Sequence, residues 1–171
     1  MRTLTTRLAV TLDNMPNTLD DLDARLVELL TAQPRVGVLE ASRRLQVARG
    51  TVQARLDRLI GSGVIRSFAP TIDPAALGFS VTAFANLEIR QGARAGVSEH
   101  LRRIAEVLEV YTITGQGDLM CRLVARDNDD LQRVIDLLVA DDDVLRTSTV
   151  VVLACVLEHR TLPLVRAAVR S

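Results

Sequence analysis

The sequence predicts an α+β chain in two parts: a helix-turn-helix module followed by a ferredoxin-like βαββαβ domain. Two observations carry this. Short amphipathic helical stretches occupy residues 18 to 60, and the last two are separated only by Gln46, Val47 and Ala48, the spacing of a tri-helical helix-turn-helix. Beyond a connector punctuated by Pro and Gly, apolar runs then repeat one order twice, strand, helix, strand. That doubling folds as four antiparallel strands with both helices on one face.

Each element has a local reason. Residues 1–17 show no sustained pattern and end at Pro16-Asn17, so they are expected to form a tail. Thr18 to Asp21 reads as a capping box, with Thr18 accepting from the first-turn amides and Asp21 at the positive end of the helix dipole. Leu22, Leu26, Leu29 and Leu30 follow at helical spacing until Pro34 stops the run. A second helix is expected over Val38–Leu45, burying Ala41 and Leu45, and a third over Arg49–Ile60 with Val52, Leu56 and Leu59 inward. Gly61 and Gly63 end it. Residues 18–66 thus form one domain.

Residues 67–76 read as a linker closing on the Asp73-Pro74 turn, and residues 77–171 as the second domain. Its expected elements are strand Val81–Ile89, helix Val97–Ala105, strand Val107–Thr114, strand Leu119–Arg126, helix Asn128–Ala140 and strand Val144–Leu157. The last scarcely alternates ("VVVLACVL"), so its sheet is expected to be apolar on both faces. A monomer would expose one of them, which predicts a homodimer burying sheet against sheet.

Composition narrows the function. The 171 residues are 48% apolar but only 2% aromatic, enough for a core and too few rings to grip single strands by stacking. Net charge is zero, yet Arg35 to Arg66 carries seven arginines against Glu40 and Asp57, a local +5. Ser98 to Thr147 carries six arginines against eleven acids, a local −5. A basic front half fits a polyanion such as duplex DNA. Every basic residue is Arg, which favours bidentate contacts to phosphate and guanine.

Cys121 and Cys155 lie within apolar strand-like runs, where cysteine is a small buried hydrophobe, and no disulfide framework is evident. With no leader-like segment and no 18-residue apolar stretch, a cytoplasmic protein without membrane contact is expected. No catalytic set converges from His100, His159, Cys121 and Cys155, so no enzyme and no cofactor is expected. Cys155 and His159 share a face if the last strand runs through both, but they lack the further ligands a zinc site needs. Asp141-Asp142-Asp143 reads as a solvated loop.

Arg49, Gly50, Thr51, Gln53 and Ala54 sit at the N-terminal end of the third helix, where a recognition helix enters the major groove. Arg49 suits guanine, Gln53 adenine, and Thr51 a thymine methyl or a hydrogen bond. Arg55 and Arg58, with Arg43 and Arg44 on the second helix, are expected to grip phosphates, or else to form a solvated charged face in which Arg58 pairs with an acid.

Taken together, "LDDLDARLVELLTAQPRV", "ASRRLQVARGTVQARLDRLIGSGVI", "IDPAALGF", "ITGQGDLMCRLVARDNDDLQRVI" and "RTSTVVVL" resemble the Lrp/AsnC family of bacterial and archaeal regulators, in order, from Leu19 to Leu164. The resemblance implies a DNA-binding helix-turn-helix, a linker, and a βαββαβ effector (RAM) domain that assembles dimers into tetramers or octamers. It further implies regulation of amino-acid metabolism genes through a free amino acid bound at dimer–dimer contacts by Gly115 and Asp118. A glycine-rich turn suits a carboxylate, and an aspartate an ammonium. By residues alone, Gly115-Gln116-Gly117-Asp118 reads first as a hairpin turn, and the resemblance over the flanking strands makes it a sensor loop.

Thr112 and Thr114, and Thr147 and Thr149, alternate toward the same region and are either further effector contacts or β-branched strand filling. Where the family often has an aromatic, this chain has Gly117, which leaves room for an alternative: an architectural DNA binder without an effector. Two more departures lie in the turn before the third helix. Gln46 replaces a glycine, and Ala48 replaces a serine whose capping hydroxyl is worth about 1 kcal/mol.

Overall fold

A computed structural model of the chain describes residues 19–169. They form two compact units, one of residues up to Pro70 together with residues from His159 onward, the other Thr71–Glu158.

The first unit holds α1 (Asp21–Ala32), α2 (Val38–Leu45) and α3 (Arg49–Gly61). The N-cap of α1 is Asp20, whose carboxylate accepts from Asp23 N–H at 2.9 Å while Asp23 accepts from Asp20 N–H at 3.1 Å. The capping box therefore sits two residues later than the one read at Thr18, which lies outside the described residues. Asp20 wins because its carboxylate reaches the N3 amide that an aspartate there can answer. Leu19, Leu26, Ala41, Leu45, Val52 and Leu59 form the buried core.

Both departures in the helix-turn-helix turn leave physical traces. Gln46 adopts left-handed backbone at φ 57, alone among the described non-glycine residues, a conformation a β-carbon makes costly. Ala48 caps α3 without any side-chain hydrogen bond.

The C-terminal segment departs from expectation. Residues 77–171 were expected as one domain, yet α6 (Leu162–Ala168) packs on α1 in the first unit. Val165 and Val169 join its core, Val169 bridges Leu19, and Arg166 takes Glu28 with two nitrogens, the longer contact being 2.6 Å. The pairing with Glu28 raises the Arg166 pKa.

In the second unit a short 3-10 turn, Ala75–Leu77, precedes β1 (Val81–Ile89), α4 (Arg94–Arg102), β2 (Val107–Thr112), β3 (Leu119–Ala125), α5 (Asn128–Leu138) and β4 (Val144–Val151). The four strands pair antiparallel in the order β2-β3-β1-β4, the ferredoxin-like arrangement expected. Ala83, Ala85 and Leu87 of β1 face Leu123, Cys121 and Leu119 of β3, and all are buried beneath Val97, Leu101, Leu131, Val134 and Leu138 of the helices. Asp127 caps α5 by accepting from Asp130 N–H at 2.8 Å.

The last strand is shorter than its apolar composition implied. β4 ends at Val151, and the following segment leaves Leu153 98% and Val156 97% exposed. Cys155 is exposed as well, not buried, so it shares no strand face with His159. Apolar residues in a row do not make a strand when the neighbour runs out: after Val152 N–H donates to Thr82 O at 2.9 Å, only Val81 of β1 remains. Cys121 is the buried thiol, and burial pushes its pKa up to about 11.

The sheet face away from the helices is also less apolar than expected. Phe84, Met120 and Val150 lie on it, but so do Glu109, Arg122, Glu88 and Arg146. Arg122 donates to Glu109 at 2.7 Å and the Tyr111 hydroxyl to the same carboxylate at 2.6 Å.

Candidate functional site

Two surfaces collect the residues singled out above, one in each unit. On α3, Arg49, Gly50, Thr51, Gln53 and Ala54 are all exposed at its N-terminal end. Gln53 spends one amide N–H on Asp57 Oδ1 at 2.8 Å, one turn along. Arg43 and Arg44 share Glu40 on α2, at 3.9 and 2.8 Å. Exposed pairs of this kind contribute little to stability.

Arg55 and Arg58 are differently placed. Asp23 is fully buried, and its carboxylate receives Arg55 at 3.0 Å and Arg58 at shorter range, while Arg55 also reaches Asp20. Both guanidiniums point back into α1 rather than out toward a duplex, which corrects the expected phosphate grip. The pairing that the sequence offered as an alternative for Arg58 is the one found, and Arg55 shares it. The Asp20 and Asp23 hydrogen bonds raise the Arg55 pKa. The consequence is mechanical: α3 is tied to α1 by charge at the middle of its length, and its N-terminal end is left exposed.

In the second unit the hairpin between β2 and β3 is built on two glycines in left-handed backbone, Gly115 at φ 100 and Gly117 at φ 97. A β-carbon at Gly117 would lie 3.2 Å from the Leu87 carbonyl oxygen. An aromatic there would meet both positive φ and this contact, so the glycine belongs to this hairpin's backbone path. Asp118 N–H donates to Leu87 O at 2.8 Å, and Asp118 Oδ2 accepts from Ile89 N–H at 2.9 Å. One carboxylate oxygen thus completes the β1–β3 ladder; Oδ1 has no partner among the described residues.

Beside the hairpin, on the open face of the sheet, lies a cleft of about 330 Å³ bordered by Asn86, Glu88, Gln116, Gly117, Arg146, Thr147 and Ser148. Of the residues singled out in the sequence it brings together Gln116, Gly117 and Thr147. Gly115, Asp118, Thr112, Thr114 and Thr149 do not border it. Thr112 ends β2 exposed, and Thr114 lies in the loop beyond.

The threonines of β4 follow the second of their two readings, strand filling. Thr147 pairs with Leu87 and Thr149 with Ala85, both core residues, so these side chains follow the helix-covered face. Their hydroxyls are buried without a hydrogen-bond partner. The alternate residues, Arg146 and Ser148, face the cleft opposite Glu88 and Asn86. Sequence reasoning missed Asn86, Glu88, Arg146 and Ser148. The signal available was polar residues alternating with apolar ones on β1, "FANLE".

A helix-turn-helix whose third helix has an exposed N-terminal end, followed by a ferredoxin-like unit carrying a polar cleft, is the architecture of a DNA-binding regulator. The comparisons with known proteins agree. Residues 19–60 match the AsnC-type helix-turn-helix domain and residues 82–162 the Lrp/AsnC ligand binding domain. The HTH-type transcriptional regulator FL11 of Pyrococcus furiosus is 31% identical over 87% of this chain and 99% of its own. The structure of Escherichia coli AsnC superposes with a TM-score of 0.78 at 24% identity, covering 85% of this chain and 99% of that one. A Neisseria meningitidis transcriptional regulator, solved as its L-Met complex, gives 0.75 at 26% identity, over 84% and 95%. The chain belongs to the Lrp/AsnC family of DNA-binding transcriptional regulators. Among the described residues no helix is long and apolar enough to cross a membrane.

Proposed function

We propose that this protein is a sequence-specific regulator of amino-acid metabolism genes whose DNA binding responds to a free amino acid held at the hairpin Gly115–Asp118 and the cleft beside it. The observation that carries the reading is the cleft itself: a polar concavity of about 330 Å³ against the glycine hairpin, within the size range of small-ligand sites. The L-Met complex of the Neisseria relative supports an amino acid as occupant.

Arg49, Thr51, Gln53 and Ala54, with Gly50 permitting close approach, would read base edges, while Arg43 and Arg44 would exchange Glu40 for phosphates. The half-buried Phe84 and exposed Val150 on the open sheet face, with the apolar residues beyond β4, favour a homodimer, assembling further to tetramers or octamers. Two recognition helices would then meet half-sites about 34 Å or a multiple apart. An amino acid shifts DNA binding only by favouring one assembly over another.

Because Asp118 also caps a strand amide, Asp118→Asn is the informative variant: it keeps an acceptor for Ile89 N–H and removes the charge. Operator binding by the variant should persist while its response to amino acids disappears. A response equal to that of the wild type rejects the assignment. A thermal-shift screen across free amino acids separates this reading from an effector-independent architectural binder, since ligand at 100 times its Kd stabilises by about 2.7 kcal/mol.

A further inference from the structure

Opposite charges that stand close together in this unit are closed on each other: Arg90 with Asp143, Arg102 with Glu99, Arg122 with Glu109, Arg133 with Glu106 and Asp130. Glu88 and Arg146 break that rule. They are direct cross-strand partners on the open face, a position at which opposite charges ordinarily pair, yet no ion pair joins them and neither has another partner among the described residues. Both border the cleft, and the strand register shifts immediately after Glu88. The side chains of Asn86, Gln116 and Ser148 on the same rim also have no hydrogen-bond partner among the described residues.

The cleft therefore presents an unmatched cation, an unmatched anion, two amides and a hydroxyl, and no aliphatic or aromatic side chain, since the Thr147 side chain follows the opposite face of β4. We infer that Arg146 and Glu88 hold the two ends of a zwitterion, the guanidinium taking the effector's α-carboxylate and the carboxylate its ammonium, and that the rim selects an amino acid whose side chain itself hydrogen-bonds. The inference rests on the amino-acid reading above and deepens it. A guanidinium offers the fork that a carboxylate fits. An amide or hydroxyl side chain finds partners in Asn86, Gln116 and Ser148, whereas a leucine or methionine side chain would strip water from these groups and give them nothing in return.

The open face is divided by this arrangement. Phe84 and Val150 make its apolar end, suited to a second copy of the chain, and Asn86, Glu88, Arg146 and Ser148 its polar end. Ligand and partner thus use adjoining ends of one surface, a route by which occupancy can bias assembly.

The test is calorimetric titration of the full-length protein with glutamine, asparagine, serine, leucine and methionine, repeated on Arg146→Gln, Glu88→Gln and Asp118→Asn. Glutamine, asparagine or serine should bind at least tenfold more tightly than leucine and methionine. Arg146→Gln and Glu88→Gln should each weaken that binding tenfold or more, with melting temperatures unchanged because both side chains are exposed. The deaminated analogue of the best ligand should lose affinity for the wild type but little further for Glu88→Gln. Tight binding of leucine or methionine, unaffected by Arg146→Gln and Glu88→Gln yet lost in Asp118→Asn, overturns the inference and leaves the hairpin reading standing. Absence of binding by every amino acid tested overturns both.

Discussion

Two clusters of opposite charge behave in contrary ways in this molecule. In the helix-turn-helix unit, Asp23 is fully buried and closed upon by Arg55 and Arg58, with Asp20 joining the network. In the sheet unit, Glu88 and Arg146 face each other across two strands and remain apart. Burial explains the first: a carboxylate without water must be paired and hydrogen-bonded, so the sequence around it supplies two guanidiniums and a backbone amide. Solvent permits the second, because exposed charges need no protein partner, and what they have free they can give to a ligand. The same residue types hold a fold together in one place and leave a site open in the other.

That contrast predicts unequal costs. Asp23→Ala should destabilise the helix-turn-helix unit by about 3 kcal/mol in denaturant titration, through the lost pair and the lost cap together. Glu88→Gln with Arg146→Gln should stay within about 0.5 kcal/mol of wild type, as exposed substitutions do. Comparable losses in both would erase the distinction. Arg55→Ala should lower stability by about 2 kcal/mol, because it strands part of a buried carboxylate. Arg49→Ala should leave stability alone and weaken operator binding by about 1–3 kcal/mol; an electrophoretic titration at fixed salt compares them.

Smaller effects sharpen the same point for backbone. Gly117→Ala meets both positive φ and the Leu87 carbonyl, and should cost about 1–2 kcal/mol. Gln46→Gly and Ala48→Ser should each stabilise, by about 1 kcal/mol, since the first relieves left-handed strain and the second restores a cap. Reaction with a thiol reagent near neutral pH should modify Cys155 and spare Cys121 until the protein is unfolded, because burial holds the Cys121 thiol protonated up to about pH 11.

Much of the fold was legible because it rests on local periodicity. The second helix and the first strand of the sheet appear where their patterns place them, Val38–Leu45 and Val81–Ile89. The turn residues Gln46 and Ala48 were legible through the resemblance, which places a glycine and a capping serine at those positions. What composition misread was extent: "VVVLACVL" is apolar throughout, but only its first two residues have strand partners in β1.

The candidate site was half legible. Gly115 to Asp118 marks itself as a turn, and family likeness marks it as a sensor. Which threonines or arginines stand near it depends on strand register, and a slip of one residue exchanges Thr147 and Thr149 for Arg146 and Ser148. In the same way, no local pattern shows that Arg55 and Arg58 turn inward to an aspartate more than thirty residues away.

The sequence by itself determined the element types and order from α1 to β4, and the family, because helix and strand periods, caps and turn glycines act over a few residues. Tertiary structure alone decided which charges are closed and which are open, and where the C-terminal helix rests. Those outcomes depend on distances between segments far apart in the chain, and pairing and desolvation are set by distance and burial rather than by residue type.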